Sequence, residues 1–148
     1  MAPRPVHGFV DEVLAGVGRA VWIEGGPGSG KTDLLTQVLA DADIRGCRLA
    51  GAPTNVGSGT ERLLARFRHL SAQAPLVVAM DDLHLAATSS IEFWGRLAIE
   101  SRTMPLLLLA TARPDPNRAI LAQVRDDARS APVRVTCCRV GPAEFSPA

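Results

Sequence analysis

The sequence predicts an α/β protein built on a parallel, doubly wound sheet. Three observations carry that prediction. Short apolar runs of strand length recur, the fullest being Leu76-Val77-Val78-Ala79-Met80 and Leu106-Leu107-Leu108-Leu109-Ala110-Thr111. Runs without polar alternation suit strands covered on both faces. Between them lie stretches with apolar residues at helical spacing, and strands alternating with helices are the pattern of a parallel sheet. The first strand also opens into a helix through a glycine-rich turn holding Gly25, Gly26, Gly28 and Gly30.

The elements follow in order. Residues 1–8 are rich in proline and read as loose. Apolar positions 9, 10, 13, 14 and 17 give a helix that Gly16 and Gly18 end. A first strand covers 20–24, and the helix after the turn runs to about 42, with Leu34, Leu35, Val38 and Leu39 on one face. A short second strand covers 46–50, followed by a polar, glycine-rich loop at 54–59. Residues 60–70 form a helix with Leu63, Leu64, Phe67 and Leu70 inward and Arg62, Arg66 and Arg68 on a solvated face. The third strand, 75–82, ends in Asp81-Asp82. A helix begins near Thr88, where Ser89-x-x-Glu92 offers a capping box. Its apolar face is Ile91, Trp94, Leu97 and Ala98, with Trp94 a core residue. The fourth strand ends at Ala112-Arg113, Pro114-Asp115-Pro116-Asn117 turns, 118–129 is a helix, and 132–140 is a fifth strand.

Composition bounds the class. A chain of 148 residues suggests one domain, residues 1–148, with a sizeable core. It is 47% hydrophobic and 21% charged, an ordinary globular balance. A net charge of +1 makes no electrostatic case for nucleic acid or membrane. No helix-turn-helix signal or basic stripe argues for direct DNA binding. No apolar run reaches the roughly 20 residues that span a bilayer, and Met1-Ala2-Pro3-Arg4-Pro5 leads into no signal-peptide core. A cytoplasmic protein is expected. Cys47, Cys137 and Cys138 have no metal spacing and read as reduced, mostly buried residues, the adjacent pair pointing to opposite faces of a strand.

The chemistry lies in the turn. Gly25-Gly26-Pro27-Gly28-Ser29-Gly30-Lys31-Thr32 matches G-x-x-x-x-G-K-[ST], the phosphate-binding P-loop. Its setting between a strand and a helix is the one the motif requires. Glycines let the backbone approach a ligand closely, and N–H groups at a helix start converge on phosphate oxygens. In this motif Lys31 reaches the β- and γ-phosphates and the Thr32 hydroxyl ligates Mg²⁺. The chain has fifteen arginines and one lysine, and that lysine is Lys31. It stands where a compact ammonium is needed.

A metal partner is expected on another strand. Asp81, at the tip of a buried strand, fits the Walker-B role, and Asp82 beside it is placed to orient or deprotonate a water. An Asp-Asp pair at a strand end also suits a helix cap or surface loop. His84 reads either as a polar sensor or as a structural histidine. If the fourth strand lies between the first and third, Thr111 and Arg113 point at the γ-phosphate and Arg113 reports its presence; otherwise Arg113 is a surface residue before a turn.

Gly-Gly-Pro-Gly-Ser-Gly-Lys-Thr, Val-Val-Ala-Met-Asp-Asp-Leu-His and Leu-Leu-Leu-Ala-Thr-Ala-Arg-Pro together resemble the AAA-like P-loop ATPase module of STAND-class regulators, nearest to bacterial LuxR-type activators. The resemblance covers about residues 9–142. It implies a P-loop NTPase three-layer sandwich with a five-stranded, mostly parallel sheet in the order 5-1-4-3-2. It implies Lys31 and Thr32 on phosphate and metal, Asp81 on metal, Asp82 as catalytic acid and Arg113 as γ-phosphate sensor. It implies ATP and Mg²⁺ as ligands and a slow switch that self-associates or engages a protein partner. Gly141-Pro142 resembles the start of the lid region. The chain otherwise reads as a bare nucleotide-binding core, without helical lid, winged helix or helix-turn-helix. Arg96 and Arg102 are candidate trans-acting arginines. Two other readings stay open, a non-hydrolysing P-loop scaffold and a small-molecule kinase.

Overall fold

The computed structural model describes residues 4–130 and 135–139, with side chains from 8 to 130. Five strands, β1 (Arg19–Glu24), β2 (Arg48–Gly51), β3 (Leu76–Met80), β4 (Leu106–Ala112) and β5 (Val135–Arg139), alternate with five helices. The helices are α1 (Arg4–Leu14), α2 (Lys31–Ile44), α3 (Thr60–Gln73), α4 (Thr88–Glu100) and α5 (Ala119–Ser130). All strand pairings are parallel, in the order β2-β3-β4-β1-β5. That is the expected 5-1-4-3-2 order.

Side-chain alternation along the strands makes the sandwich. Val21 and Ile23 of β1, Val77 of β3 and Leu107 and Leu109 of β4 pack with Phe9, Val10 and Val13 of α1 and Leu34, Leu35 and Val38 of α2. The intervening residues Ala20, Trp22, Leu76, Val78, Leu106 and Leu108 meet Leu64 and Phe67 of α3, Trp94 and Leu97 of α4 and Leu121 of α5. Both faces of the sheet are covered, which is why its central strands read as unbroken apolar runs. Trp22 and Trp94 meet edge to face with ring centroids 5.0 Å apart, a contact worth about 0.5–1.5 kcal/mol beyond area burial. Trp94 is core, as its spacing implied, although its indole Nε1 has no hydrogen-bond partner.

Several local expectations are corrected. Residues 4–8 are helical, not loose, because α1 starts at Arg4 and ends at Leu14. Pro5 falls in the first turn, where a missing N–H leaves no hydrogen bond unmade. The helix closes with Gly16 N–H to Val13 C=O and Val17 N–H to Glu12 C=O, a Schellman arrangement. The second strand starts at Arg48 rather than 46, because Gly46 and Cys47 close α2 through bonds to Asp43 and Ala42. The capping box is absent. The cap position of α4 is Ala87, and Ser89 Oγ instead accepts from Gly57 N–H at 3.0 Å. With Ser90 Oγ, which accepts from Val56 N–H and donates to the Pro53 carbonyl, it pins the 54–59 loop. Cys47 is buried and free, and burial pushes its thiol pKa up. The side chains of Cys137 and Cys138, and Gly141-Pro142, lie outside the described residues. No described helix is long and apolar enough to cross a membrane.

Gly18, between α1 and β1, is fixed by packing. A Cβ there would stand 1.7 Å from the Ser101 carbonyl oxygen and 2.5 Å from that of Met104. Both are backbone atoms and cannot swing aside. Gly18→Ala is expected to destabilise the fold by about 2–3 kcal/mol, read as a lower urea midpoint at unchanged slope. Gly8→Ala, in α1 with open space around it, is the control and is expected to be neutral or stabilising by up to about 1 kcal/mol.

Candidate functional site

The carboxyl ends of β1, β3 and β4 meet at one end of the sheet. The register pairs Glu24 of β1 with Ala112 of β4, and Met80 of β3 with Ala110. Gly25 N–H continues the ladder by donating to the Ala112 carbonyl at 3.2 Å. The chain then turns through the glycine-rich loop into α2. Gly28 (φ 71°) and Gly30 (φ 91°) take the left-handed conformation, which a side chain would strain. Ser29 N–H closes the loop on the Gly26 carbonyl at 3.2 Å. Gly28 to Asp33 line a cavity of about 250 Å³. The first intrahelical bond of α2 runs from Leu34 N–H to Gly30 C=O, so the amides before it face the cavity end of the helix with its positive dipole.

Among the described residues, two polar groups in this cradle lack partners. Ser29 is 3% exposed and its hydroxyl makes no hydrogen bond. Lys31 is 8% exposed, and among the described residues it has no ion pair. Its stem is packed and its ammonium stays available to an anion. Thr32 and Asp33 follow, both exposed. These residues fit a polyphosphate.

The strand β3 ends one residue before Asp81. The buried Thr111 hydroxyl of β4 donates to Asp81 Oδ1. It also accepts from Asp82 N–H at 2.8 Å, and that N–H lies 3.1 Å from Asp81 Oδ1. Asp82 takes φ 54° and ψ 50°, left-handed for a residue with a side chain, at a cost of about 1–3 kcal/mol. Aspartate is among the few residues that tolerate this region. The twist turns the chain directly after Asp81, and among the described residues neither Asp81 Oδ2 nor the Asp82 carboxylate has a hydrogen-bond or ion-pair partner. Among the described residues, no group of three or more His, Cys, Asp or Glu forms a metal cage. Two oxygen donors, Thr32 and Asp81, suit Mg²⁺, which keeps several waters and takes other ligands from phosphates.

His84 ties the two strand tips together. Its Nδ1 accepts from Arg113 N–H at 3.0 Å, so the neutral ring carries its proton on Nε2. Burial pushes its pKa down; Asp82 opposes that, while Arg113 and Lys31 add to it. Arg118 of the turn before α5 donates to the carbonyls of His84 (3.0 Å) and Ala86 (2.6 Å). Folding favours the unprotonated ring. Its contribution is therefore full above the ordinary histidine value of about 6.5 and is lost as pH falls through it, because the unfolded chain takes the proton first. A falling melting temperature is expected between about pH 7.5 and 5.5. His84→Asn, which keeps an acceptor near Nδ1, is expected to flatten that slope.

A sequence model of the ATPase family associated with various cellular activities matches residues 21–131. The chain belongs to the AAA family of ATPases. It is a nucleotide-binding ATPase module, and the matched span of this AAA domain holds Lys31, Asp81, Asp82 and Arg113. Over 78 residues, 51% of the chain, it is 34% identical to an ATP-dependent zinc metalloprotease of Rattus norvegicus, and the match covers 11% of that protein. Solved structures share the fold at low identity. Cdc6p from Pyrobaculum aerophilum matches with TM-score 0.62 and 16% identity, covering 96% of this chain and 46% of Cdc6p. PCH-2 of C. elegans matches with TM-score 0.60 and 15% identity, over 91% and 40% of the two chains. The replication initiator DnaA, solved with AMPPCP and single-stranded DNA, matches with TM-score 0.51 and 19% identity, over 91% and 46%. The chain thus spans less than half the length of these proteins.

The strand order places β4 between β1 and β3, the condition on which Thr111 and Arg113 were expected at the site. Thr111 is in the cluster. Arg113 follows β4, exposed, with its backbone N–H on His84. Arg96 is ion-paired with Glu61 at 2.5 Å. Arg102 is exposed in the turn before β4, at the opposite end of the sheet. Sequence reasoning missed two supports. The buried Glu24 carboxylate, just before the loop, accepts from Trp22 Nε1 at 3.1 Å and from Arg125 of α5. Arg118 clamps the turn after Asp82. Neither sits in a motif, and nothing local distinguishes them from surface arginines and a strand-end acid.

Proposed function

We propose that this AAA module binds Mg²⁺-ATP and hydrolyses it slowly, as the switch core of a regulatory protein of the STAND or LuxR type. One observation carries the nucleotide part. Ser29, whose hydroxyl has no partner among the described residues, and Lys31 line the same loop cavity, and the Asp81-Asp82 carboxylates follow β3 at the same end of the sheet. In this reading the loop amides and Lys31 bind the β- and γ-phosphates. Thr32 Oγ1 and Asp81 hold Mg²⁺, which when bound neutralises charge between those phosphates. Thr111, by engaging Asp81 Oδ1, orients the other oxygen outward. Asp82 orients the attacking water and takes its proton, and Arg113 senses the γ-phosphate.

The regulatory part rests on the Asp-Asp-Leu-His and Thr-Ala-Arg-Pro motifs and on the supports around them. His84 and Arg118 couple the Asp82 turn to the start of α5, and Arg125 couples α5 to Glu24 beside the loop. A change at the γ-phosphate has a route into α5. Self-association or a protein partner as output follows from the same resemblance, and a cytoplasmic setting from the sequence's lack of a signal-peptide core and of a bilayer-spanning apolar run. Calorimetric titration with Mg²⁺ and a non-hydrolysable ATP analogue tests the binding. Saturable, one-site binding is expected, followed by slow phosphate release from ATP. Absence of binding would remove the switch reading.

A further inference from the structure

The sheet leaves one described edge open beside a charged groove. β2 is a terminal strand and, among the described residues, is bonded only to β3. Arg48 N–H bonds the Pro75 carbonyl at 2.8 Å. In a parallel ladder successive residues alternate sides, so Leu49 and Gly51 direct their amides and carbonyls away from the sheet. Both are exposed, Leu49 by 39%. Arg48 and Ala50 share the face of their β3 partners Leu76 and Val78, which is the α3 face. There they line a groove of about 540 Å³ with Leu63, Arg66, Phe67 and Leu70.

The charges around this groove are one-sided. On the flank of α3 toward α4, Glu61 pairs with Arg96 and Arg68 pairs with Glu100. Toward β2, Arg66 and Arg62 stand one turn apart and, like Arg48, have no carboxylate partner among the described residues. No acidic side chain lines the groove. We propose that this edge is a docking site for an extended, acidic segment of another protein, which adds a strand beside β2 and sets carboxylates against Arg48 and Arg66. The free amides and carbonyls of β2 supply main-chain pairing, and the apolar floor takes alternate side chains. A second copy of the chain is disfavoured, since two β2 edges would bring like-charged Arg48 side chains together. A single-stranded nucleic acid would use the arginines but not the strand edge.

The test is fluorescence anisotropy with the full chain and a labelled peptide of roughly eight residues alternating Glu and Val, a length that fits a strand. Controls are the Lys–Val counterpart, the same acidic peptide with alternate backbone N-methyl groups, and a labelled oligothymidine. Saturable binding of the acidic peptide alone is expected. Arg48→Glu with Arg66→Glu is expected to weaken it by about tenfold or more. Both positions are exposed, and unchanged Mg²⁺-nucleotide binding and circular dichroism would confirm that the variant is folded. N-methylation is expected to abolish binding. Three outcomes would overturn the proposal: no acidic-peptide binding up to about millimolar concentration, binding indifferent to the arginines or to N-methylation, or an oligonucleotide that binds as tightly at the same arginines.

Discussion

Replacing Lys31 with alanine is expected to abolish measurable nucleotide binding while leaving the fold at least as stable as before. The two halves of that result have one cause. Lys31 has no anionic partner among the described residues, so its ammonium makes no ion pair that the protein without nucleotide would lose. A polyphosphate engages that ammonium through charge-assisted hydrogen bonds, each worth about 1.5–3 kcal/mol. Losing two of them raises the dissociation constant by about a hundredfold or more, at tenfold per 1.4 kcal/mol. Alanine is also the best helix former, and position 31 is the first residue of α2. The melting temperature of the unliganded variant should therefore hold or rise. Titration with the ATP analogue and a thermal melt read both halves. A variant that lost binding through unfolding would show in the melt. Unchanged affinity in a folded variant would dismiss the loop as the phosphate site. Lys31→Arg is expected to recover little, since the guanidinium is larger and planar and the cradle is built by six consecutive residues of one tight loop.

The parts of the molecule legible in the sequence are those whose signal is local. β3 and β4 read directly because burial on both faces removes polar residues from 76–80 and 106–110. The loop reads because Gly28 and Gly30 need left-handed backbone at fixed spacing. Local rules failed where tertiary contacts outbid them. Ser89 had the spacing of a helix cap, but its hydroxyl is drawn to Gly57 across the 54–59 loop. The prolines at 3 and 5 suggested an unstructured start, yet Phe9, Val10 and Val13 have a hydrophobic face to fill and carry the helix back to Arg4. The site divides the same way. Asp81 and Asp82 were visible at a strand end, but their geometry is set by Thr111, some 30 residues away on the neighbouring strand. The Arg125–Glu24 contact spans 101 residues, and no pattern within either segment announces it. Strand order, taken from family resemblance, was what made Thr111 foreseeable at all.

That Thr111 contact frames the second large effect, at Asp82. Asp82→Asn is expected to lower ATP turnover by a hundredfold or more, the range of about 10²–10⁴ that a positioned general base contributes, with nucleotide affinity changed by less than about threefold. Asparagine is nearly isosteric with aspartate and, like it, tolerates left-handed backbone. The φ of 54° and the N–H bond to Thr111 Oγ1 therefore survive the change. What is lost is the negative charge and with it the capacity to take a proton. Asp81→Asn should behave differently, because Asp81 Oδ1 is committed to Thr111 and the remaining oxygen is the one left for metal. That variant is expected to raise the Mg²⁺ concentration needed for binding, whereas Asp82→Asn is not. Phosphate release measured across a Mg²⁺ titration separates the two carboxylates. If Asp82→Asn turns over ATP at the parent rate, Asp82 is not the base and its strained backbone serves only to aim Asp81. If the parent chain binds the nucleotide but releases no phosphate, the loop and carboxylates form a binding switch without hydrolysis. In that case the coupling through His84, Arg118 and α5 becomes the whole of its output.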